Sequence, residues 1–240
     1  GVKKFNIKTV CVGNIYIGGT GKTSLCIKIN EFLSKKNIKS CFIKKYYKDQ
    51  FDEQKLLRNT SEVFITNNRI DGLKEAEKKG YDIAILDDGL QDSSINCDLN
   101  FVCFNNINWI GNGLTIPSGP LRENIKNLQN YDHVFLNGNS ENLETITKKI
   151  NSINPNLTVH IAEYFPLNID EFNKQDRYIV FSGIGNHQTF VSMIKKYKLE
   201  IVKEFEYPDH YNYSKNEIYK ICEEAKNLNC KVITTEKDFL

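Results

Sequence analysis

Residues Gly13 to Ser24 read GNIYIGGTGKTS, and the reading of this stretch decides the fold. A protein that holds a phosphate group needs several backbone N–H groups aimed at one point, the positive end of a helix, and a cation. Gly18, Gly19 and Gly21 free the backbone for that curl, Thr20 and Ser24 lie within it, Lys22 supplies the charge, and Thr23 offers a hydroxyl to Mg²⁺. The pattern G-x-x-x-x-G-K-[ST] is met by Gly21, Lys22 and Thr23, but its first glycine falls on Tyr16. That glycine normally sits at the strand exit and touches no phosphate. A wider turn accommodates a tyrosine there.

Outward from the loop, strands and helices alternate. IKTVCVG before it is a buried strand, and TSLCIKINEFLSKK after it is a helix with Leu25, Ile29, Phe32 and Leu33 on one face. SCFIKK, EVFIT, LNFVCFN and DHVFLN read as further strands, and DGLKEAEKKG and ENLETITKKINSI as helices. YDIAILDD is an apolar strand ending in Asp87 and Asp88, the usual partner of a phosphate loop, because a carboxylate there holds Mg²⁺ directly or through water. The two acids point to opposite sides of the strand end and are expected to do different jobs. LTVHIAEYF reads as a longer strand, followed by a polar stretch, PLNIDEFNKQD. A second strand–helix series then runs from RYIVFSGIGN to KVITT. The pattern predicts an α/β protein: a P-loop NTPase-type, mostly parallel sheet with a second, smaller α/β domain. The expected divisions are residues 1–160 for the nucleotide-binding domain, 161–176 for a linker and 177–240 for the smaller domain.

Composition narrows the class. At 240 residues, 40% hydrophobic and 26% charged, the chain can bury a sizeable core, and a net charge of +2 gives no reason to expect nucleic acid as a partner. No apolar run is long enough to span a bilayer. Seven cysteines make no C-x-x-C pair, and Cys11, Cys26, Cys41, Cys103 and Cys222 lie in apolar strand or helix stretches, which predicts reduced, buried thiols. Only Arg58, Arg69, Arg122 and Arg177 stand against 28 lysines, so an arginine here marks a place that needs the planar fork. The opening at Gly1 and the stop at Leu240, just after a strand, predict a fragment of a longer chain.

VGNIYIGGTGKT, DDGLQ, IPSGPLRE, FSGIGN, YPDH and TTEKD occur in this order from Val12 to Asp238. In that order and at that spacing they resemble the tetraacyldisaccharide 4′-kinases, the lipid A kinases of Gram-negative bacteria, whose phosphate loop also lacks the first glycine. The resemblance implies transfer of the γ-phosphate of ATP, with Mg²⁺, to the 4′-hydroxyl of a tetraacylated glucosamine disaccharide 1-phosphate. It implies a monomeric enzyme, bound peripherally to the cytoplasmic face of the bacterial inner membrane, with a hydrophobic N-terminal helix preceding the first strand. It also implies an Asp–Glu pair as general base, here Asp52 and Glu53, held by a histidine of the other domain, here His210. Arg69 and Arg122 match family positions, and Arg122 or Glu123 is expected to order the transferring phosphate or its metal. The metal set so implied is Thr23, Asp87, Asp88 and Glu123.

The chain departs from the family text in places. Asp92 stands where DDGxQH has histidine, KKYYKD replaces an arginine-glycine-tyrosine-rich stretch, and His187 stands where proline is common. A partitioning-type switch ATPase also reads GGxGKT, but carries a lysine before the paired glycines, where this chain has Ile17. A small-molecule carboxylate or nucleoside kinase would need neither GPLRE nor the Asp52–His210 pair.

Overall fold

The computed structural model describes residues 5–47, 50–139 and 141–239, so Lys48 and Asp49 of KKYYKD lie outside the described residues. The chain divides into two compact units, Gly1–Ala162 and Glu163–Leu240. In the first, β1 (Lys8–Gly13), β2 (Ser40–Lys45), β3 (Val63–Thr66), β4 (Ile83–Asp87), β5 (Leu99–Asn105), β6 (His133–Asn137) and β7 (Thr158–Ile161) form one sheet. Its order is β3-β2-β4-β1-β5-β6-β7, and every pair in it is parallel. The helices α1 (Lys22–Lys35), α2 (Phe51–Arg58), α3 (Arg69–Lys78) and α4 (Leu143–Ile153) connect the strands.

Strand side chains alternate between two buried faces, which is why these strands read as nearly continuous apolar runs. Cys11, Ile43 and Leu86 pack with Leu73 of α3 on one face. Val12, Phe42 and Ile85 pack with Leu25 and Leu33 of α1 and Leu57 of α2 on the other. Each fully buried leucine of this kind contributes about 1.5–3 kcal/mol. A third cluster joins Val102, Phe104 and Leu136 to Ile146 and Ile150 of α4. In such open sheets ligands bind beyond the carboxyl ends of the strands, where the strand order reverses. Here β1 lies at that reversal, between β4 and β5.

Several local expectations change. Phe32 is 60% exposed. The buried stripe of α1 is instead Leu25, Cys26, Asn30 and Leu33, because Asn30 finds a partner in Ser40 Oγ at 2.8 Å. The helix α2 has no counterpart among the expected elements: its eight residues are mostly polar and only Gln54 and Leu57 are buried. β7 covers Thr158–Ile161 and not the whole of LTVHIAEYF.

The second unit holds β8 (Arg177–Ser182), β9 (Glu200–Glu206) and β10 (Lys231–Ile233) as a parallel sheet in the order β10-β8-β9. It is completed by α5 (His187–Lys196), α6 (Lys215–Asn227) and α7 (Glu236–Phe239). Tyr178 and Val180 of β8 pack toward α5, while Ile179 and Phe181 pack toward α6. Ile169 and Phe172, from the polar stretch before β8, pack against the first of these clusters. All seven cysteines are free, but Cys222 is exposed. On α6 the inward positions are Ile221 and Ala225, and Cys222 falls one step round the helix from them.

Candidate active site at the carboxyl edge of the first sheet

At the exit of β1 the strand-exit glycine is Gly13, not position 16: a Cβ there would come within 2.6 Å of Leu90 Cγ. Tyr16 lies further on, in an isolated bridge with Leu121, and the next residue, Ile17, donates its N–H to the Pro120 carbonyl at 2.9 Å. The loop therefore leans on the segment that carries Arg122. Its curl uses left-handed backbone at Gly18 (φ 105°) and Gly21 (φ 78°), which favours glycine. Asn14, fully buried, staples the curl by donating from Nδ2 to the Gly18 carbonyl (3.1 Å) and Thr20 Oγ1 (2.9 Å). Asn137, at the end of β6, donates to the Thr20 carbonyl at 2.7 Å. Helix α1 starts with no side-chain cap and no acid in its first turn, so its leading amides stay available to an anion.

The two strand-end acids have separate surroundings. Asp87 is fully buried and its Oδ2 accepts from Lys44 Nζ at 2.6 Å and from Thr23 Oγ1 at 3.4 Å. Asp88 adopts a left-handed backbone (φ 59°) that turns its carboxylate toward Arg122 Nη1 (2.8 Å) and Lys22 Nζ (3.8 Å). Burial pushes the Asp88 carboxyl up, but Lys22 and Arg122 more than reverse this and hold it below the usual aspartate range. Lys44 also contacts Glu53 Oε2 at 2.7 Å. Burial alone would favour its neutral form, and Asp87 and Glu53 outweigh that, keeping the ammonium charged.

Arg122 is positioned by its own N–H, which donates to the Ile15 carbonyl at 2.7 Å. Its neighbour Glu123 accepts from Gln91 (2.9 Å), Asn127 (2.7 Å) and Tyr131 (2.7 Å). Gln91 in turn reaches the Asn14 carbonyl at 3.0 Å, so Glu123 braces the loop from the side.

For Mg²⁺, no group of three or more His, Cys, Asp or Glu able to hold a metal occurs among the described residues. Mg²⁺ at a phosphate site keeps most of its waters and needs only one or two hard protein oxygens besides the phosphates. Thr23 Oγ1 at the start of α1 and Asp87 Oδ2 at the end of β4, 3.4 Å apart, would provide that donor set. The residues fit the ion.

The family model for the tetraacyldisaccharide-1-P 4′-kinases, LpxK, matches residues 2–240. The chain belongs to this family. A tetraacyldisaccharide 4′-kinase of Pelagibacter ubique (strain HTCC1062) is 62% identical over 234 residues, which cover 98% of this chain and 74% of that protein. The protein of the same name from Rickettsia canadensis (strain McKiel) is 33% identical over 252 residues, 97% of this chain and 75% of its own. A crystal structure of LpxK from Aquifex aeolicus in complex with ATP aligns with a TM-score of 0.64 at 23% identity, covering 99% of this chain and 80% of that one. At that identity the likeness speaks for the fold.

Asp52 lies in the first turn of α2, next to Glu53, in the first unit, whereas His210 belongs to the second. Within the second unit, three of the family motifs meet at one sheet edge. His210 donates its N–H to the Gly183 carbonyl (3.1 Å), and Gly183 donates its own to Asp238 Oδ1 (2.9 Å). Lys237 pairs with Asp209 at 2.8 Å. His187 is buried on α5, its Nδ1 2.6 Å from Ser182 Oγ, and serves that packing.

Sequence reasoning missed Lys44, Asn14, Asn137 and Gln91, and left Asp92 without a task. Asp92 accepts from Arg69 Nη1 at 3.1 Å. Asn14 and Asn137 each follow directly on or close a strand, where a short amide can bond loop carbonyls. That signal was readable. For Lys44 there is none.

Proposed function

We infer that this chain is a kinase that transfers the γ-phosphoryl group of ATP to the 4′-hydroxyl of a tetraacylated glucosamine disaccharide 1-phosphate, a step of lipid A biosynthesis. The observation that carries this is the family match over residues 2–240. The phosphate loop, strand-end acids and arginine of the first unit supply the parts such a transfer needs.

In this reading the loop from Gly18 to Ser24 cradles the ATP phosphates with backbone N–H groups and the α1 amino end. Lys22 and Arg122 neutralise charge on the moving phosphoryl group, and Asp88 keeps both cations aimed at it. Thr23 and Asp87 would hold Mg²⁺, with Asp88 a further candidate ligand, and the bound ion would supply neutralisation of charge on the phosphate oxygens. Glu123 acts as a brace for Gln91 and the loop. Asp52 takes the proton of the sugar hydroxyl, and His210 of the smaller domain, residues 177–240, is the second residue required for that step. The acceptor is a membrane lipid and the donor is ATP, so the working position is peripheral, at the cytoplasmic face of the bacterial inner membrane, as a monomer. Among the described residues no helix is long and apolar enough to cross a membrane.

The test is phosphate transfer from labelled ATP in the presence and absence of the acylated disaccharide. A lipid-sugar kinase labels the disaccharide and turns over little ATP without it. Fast ATP hydrolysis independent of the disaccharide, with no labelled lipid, would overturn this reading in favour of a switch ATPase.

A further inference from the structure

Lys44 is the buried charge that the proposed chemistry leaves unused. Its side chain is 1% exposed and its ammonium lies between two carboxylates, Asp87 Oδ2 at 2.6 Å and Glu53 Oε2 at 2.7 Å. The three come from different elements: Lys44 from the end of β2, Asp87 from the end of β4, and Glu53 from the first turn of α2. Register makes the first contact, since Lys44 and Asp87 are paired positions on adjacent parallel strands and project to the same face. The second contact reaches outward to the helix turn that carries Asp52. That turn has no side-chain cap of its own.

A buried ion pair is a poor way to gain stability, because desolvating the charges offsets most of their attraction and an apolar replacement often serves as well. What a bridged ammonium does provide is direction. Buried, it holds both carboxylates at hydrogen-bond distance, because losing either leaves charge unpaired away from water. Asp87 also touches Thr23, so the bridge connects the start of α1, at the phosphate loop, to the start of α2.

We propose that Lys44 is a positioning residue, a built-in cation that clamps the α2 turn bearing Asp52 and Glu53 to the strand-end carboxylate Asp87 and so fixes the acceptor side of the reaction relative to the phosphate loop. The proposal rests on the kinase reading given above. It assigns Lys44 no contact with either substrate.

The experiment compares wild type, Lys44→Met, Lys44→Gln, Lys44→Arg, Glu53→Gln and the Lys44→Met/Glu53→Gln double variant. It reads kcat with the acylated disaccharide, affinity for a fluorescent ATP analogue without Mg²⁺, and circular dichroism. Lys44→Met lowers kcat by about 100-fold, the scale of a misplacement of about 1 Å. Nucleotide affinity stays within about threefold, because the loop is untouched. Lys44→Arg, which keeps the charge, recovers kcat to within about tenfold of wild type. The double variant loses no more than the larger single loss, as for two members of one unit. Wild-type kcat in folded Lys44→Met, or losses that multiply in the double variant, overturns the clamp. If circular dichroism finds Lys44→Met unfolded, Lys44→Gln, which keeps a donor without the charge, decides: wild-type kcat there overturns the clamp, and a loss with intact nucleotide affinity supports it. Failure of the wild type itself to bind nucleotide sinks the phosphate-loop reading and the clamp with it, a result the wild-type control separates from all the others.

Discussion

The Arg69 guanidinium donates to the main-chain carbonyl of Asp88 at 2.6 Å and to the Asp92 carboxylate at 3.1 Å. Arg69 is buried, and its Nε has no hydrogen-bond partner in its surroundings. Asp92 thus takes up one arm of a guanidinium whose other arm fixes the left-handed turn at Asp88. Burial pushes the Asp92 carboxyl up, while hydrogen bonds from Ser94 and then Arg69 bring it below the usual range. Replacing Asp92 by alanine leaves a second buried donor of Arg69 unpaired, at a cost of about 1–3 kcal/mol. Urea unfolding measures this. A change smaller than about 0.5 kcal/mol, the ordinary effect at an uninvolved surface site, contradicts the role.

Lys22→Ala abolishes phosphoryl transfer and leaves the fold intact. Its ammonium lies 3.8 Å from Asp88 at the mouth of the loop and belongs to none of the apolar clusters. Turnover and circular dichroism, measured on the same preparation, check both halves. Equal turnover in mutant and wild type sinks the phosphate-loop assignment.

Asp52 and His210 are proposed to serve one step, removal of the proton from the sugar hydroxyl. Removing either should then lower kcat about as much as removing both, while ATP affinity survives. The kcat values of Asp52→Ala, His210→Ala and the double variant decide it. Simple multiplication of the single losses means independent roles.

Glu217 provides a pH prediction in the second unit, where it forms a capping box with Ser214 at the start of α6, donating its N–H to Ser214 Oγ at 3.2 Å. The Ser214 hydroxyl, the Tyr211 hydroxyl and the Ser214 N–H all donate to it, and they hold its carboxyl down at about 2. The unfolded chain titrates this group at about 4.3. Because the folded value is the lower one, the cap's contribution is fully present above about 4.3 and is lost as pH falls through about 2. An NMR titration of Glu217 should place its midpoint well below that of a free glutamate, and Tyr211→Phe should raise it. A midpoint at the ordinary glutamate value refutes the capping-box account of α6.

Sequence by itself determined the alternating α/β layout and the phosphate loop, because both are written in short-range physics. A buried parallel strand must be apolar on both faces, as at Val10–Val12 and Ile83–Leu86, and a curl with φ of 105° and 78° requires glycine at positions 18 and 21. Asp87 and Asp88 were legible for the same reason, as acids closing an apolar run. Only the tertiary structure decided what those acids face. Lys44 stands at the end of SCFIKK beside Lys45 and has nothing local to set it apart. Pairing of β2 with β4 puts Lys44 opposite Asp87, 43 positions away, and packing of Leu57 brings Glu53 onto it. Phe32 and Asn30 exchanged expected places likewise, because Ser40 on a different element offered Asn30 a hydrogen bond. Hydrophobic period and backbone sterics act within a few residues, so they can be read along the chain. The partner of a buried charge or amide depends on strand register across tens of residues, and only the folded chain sets that.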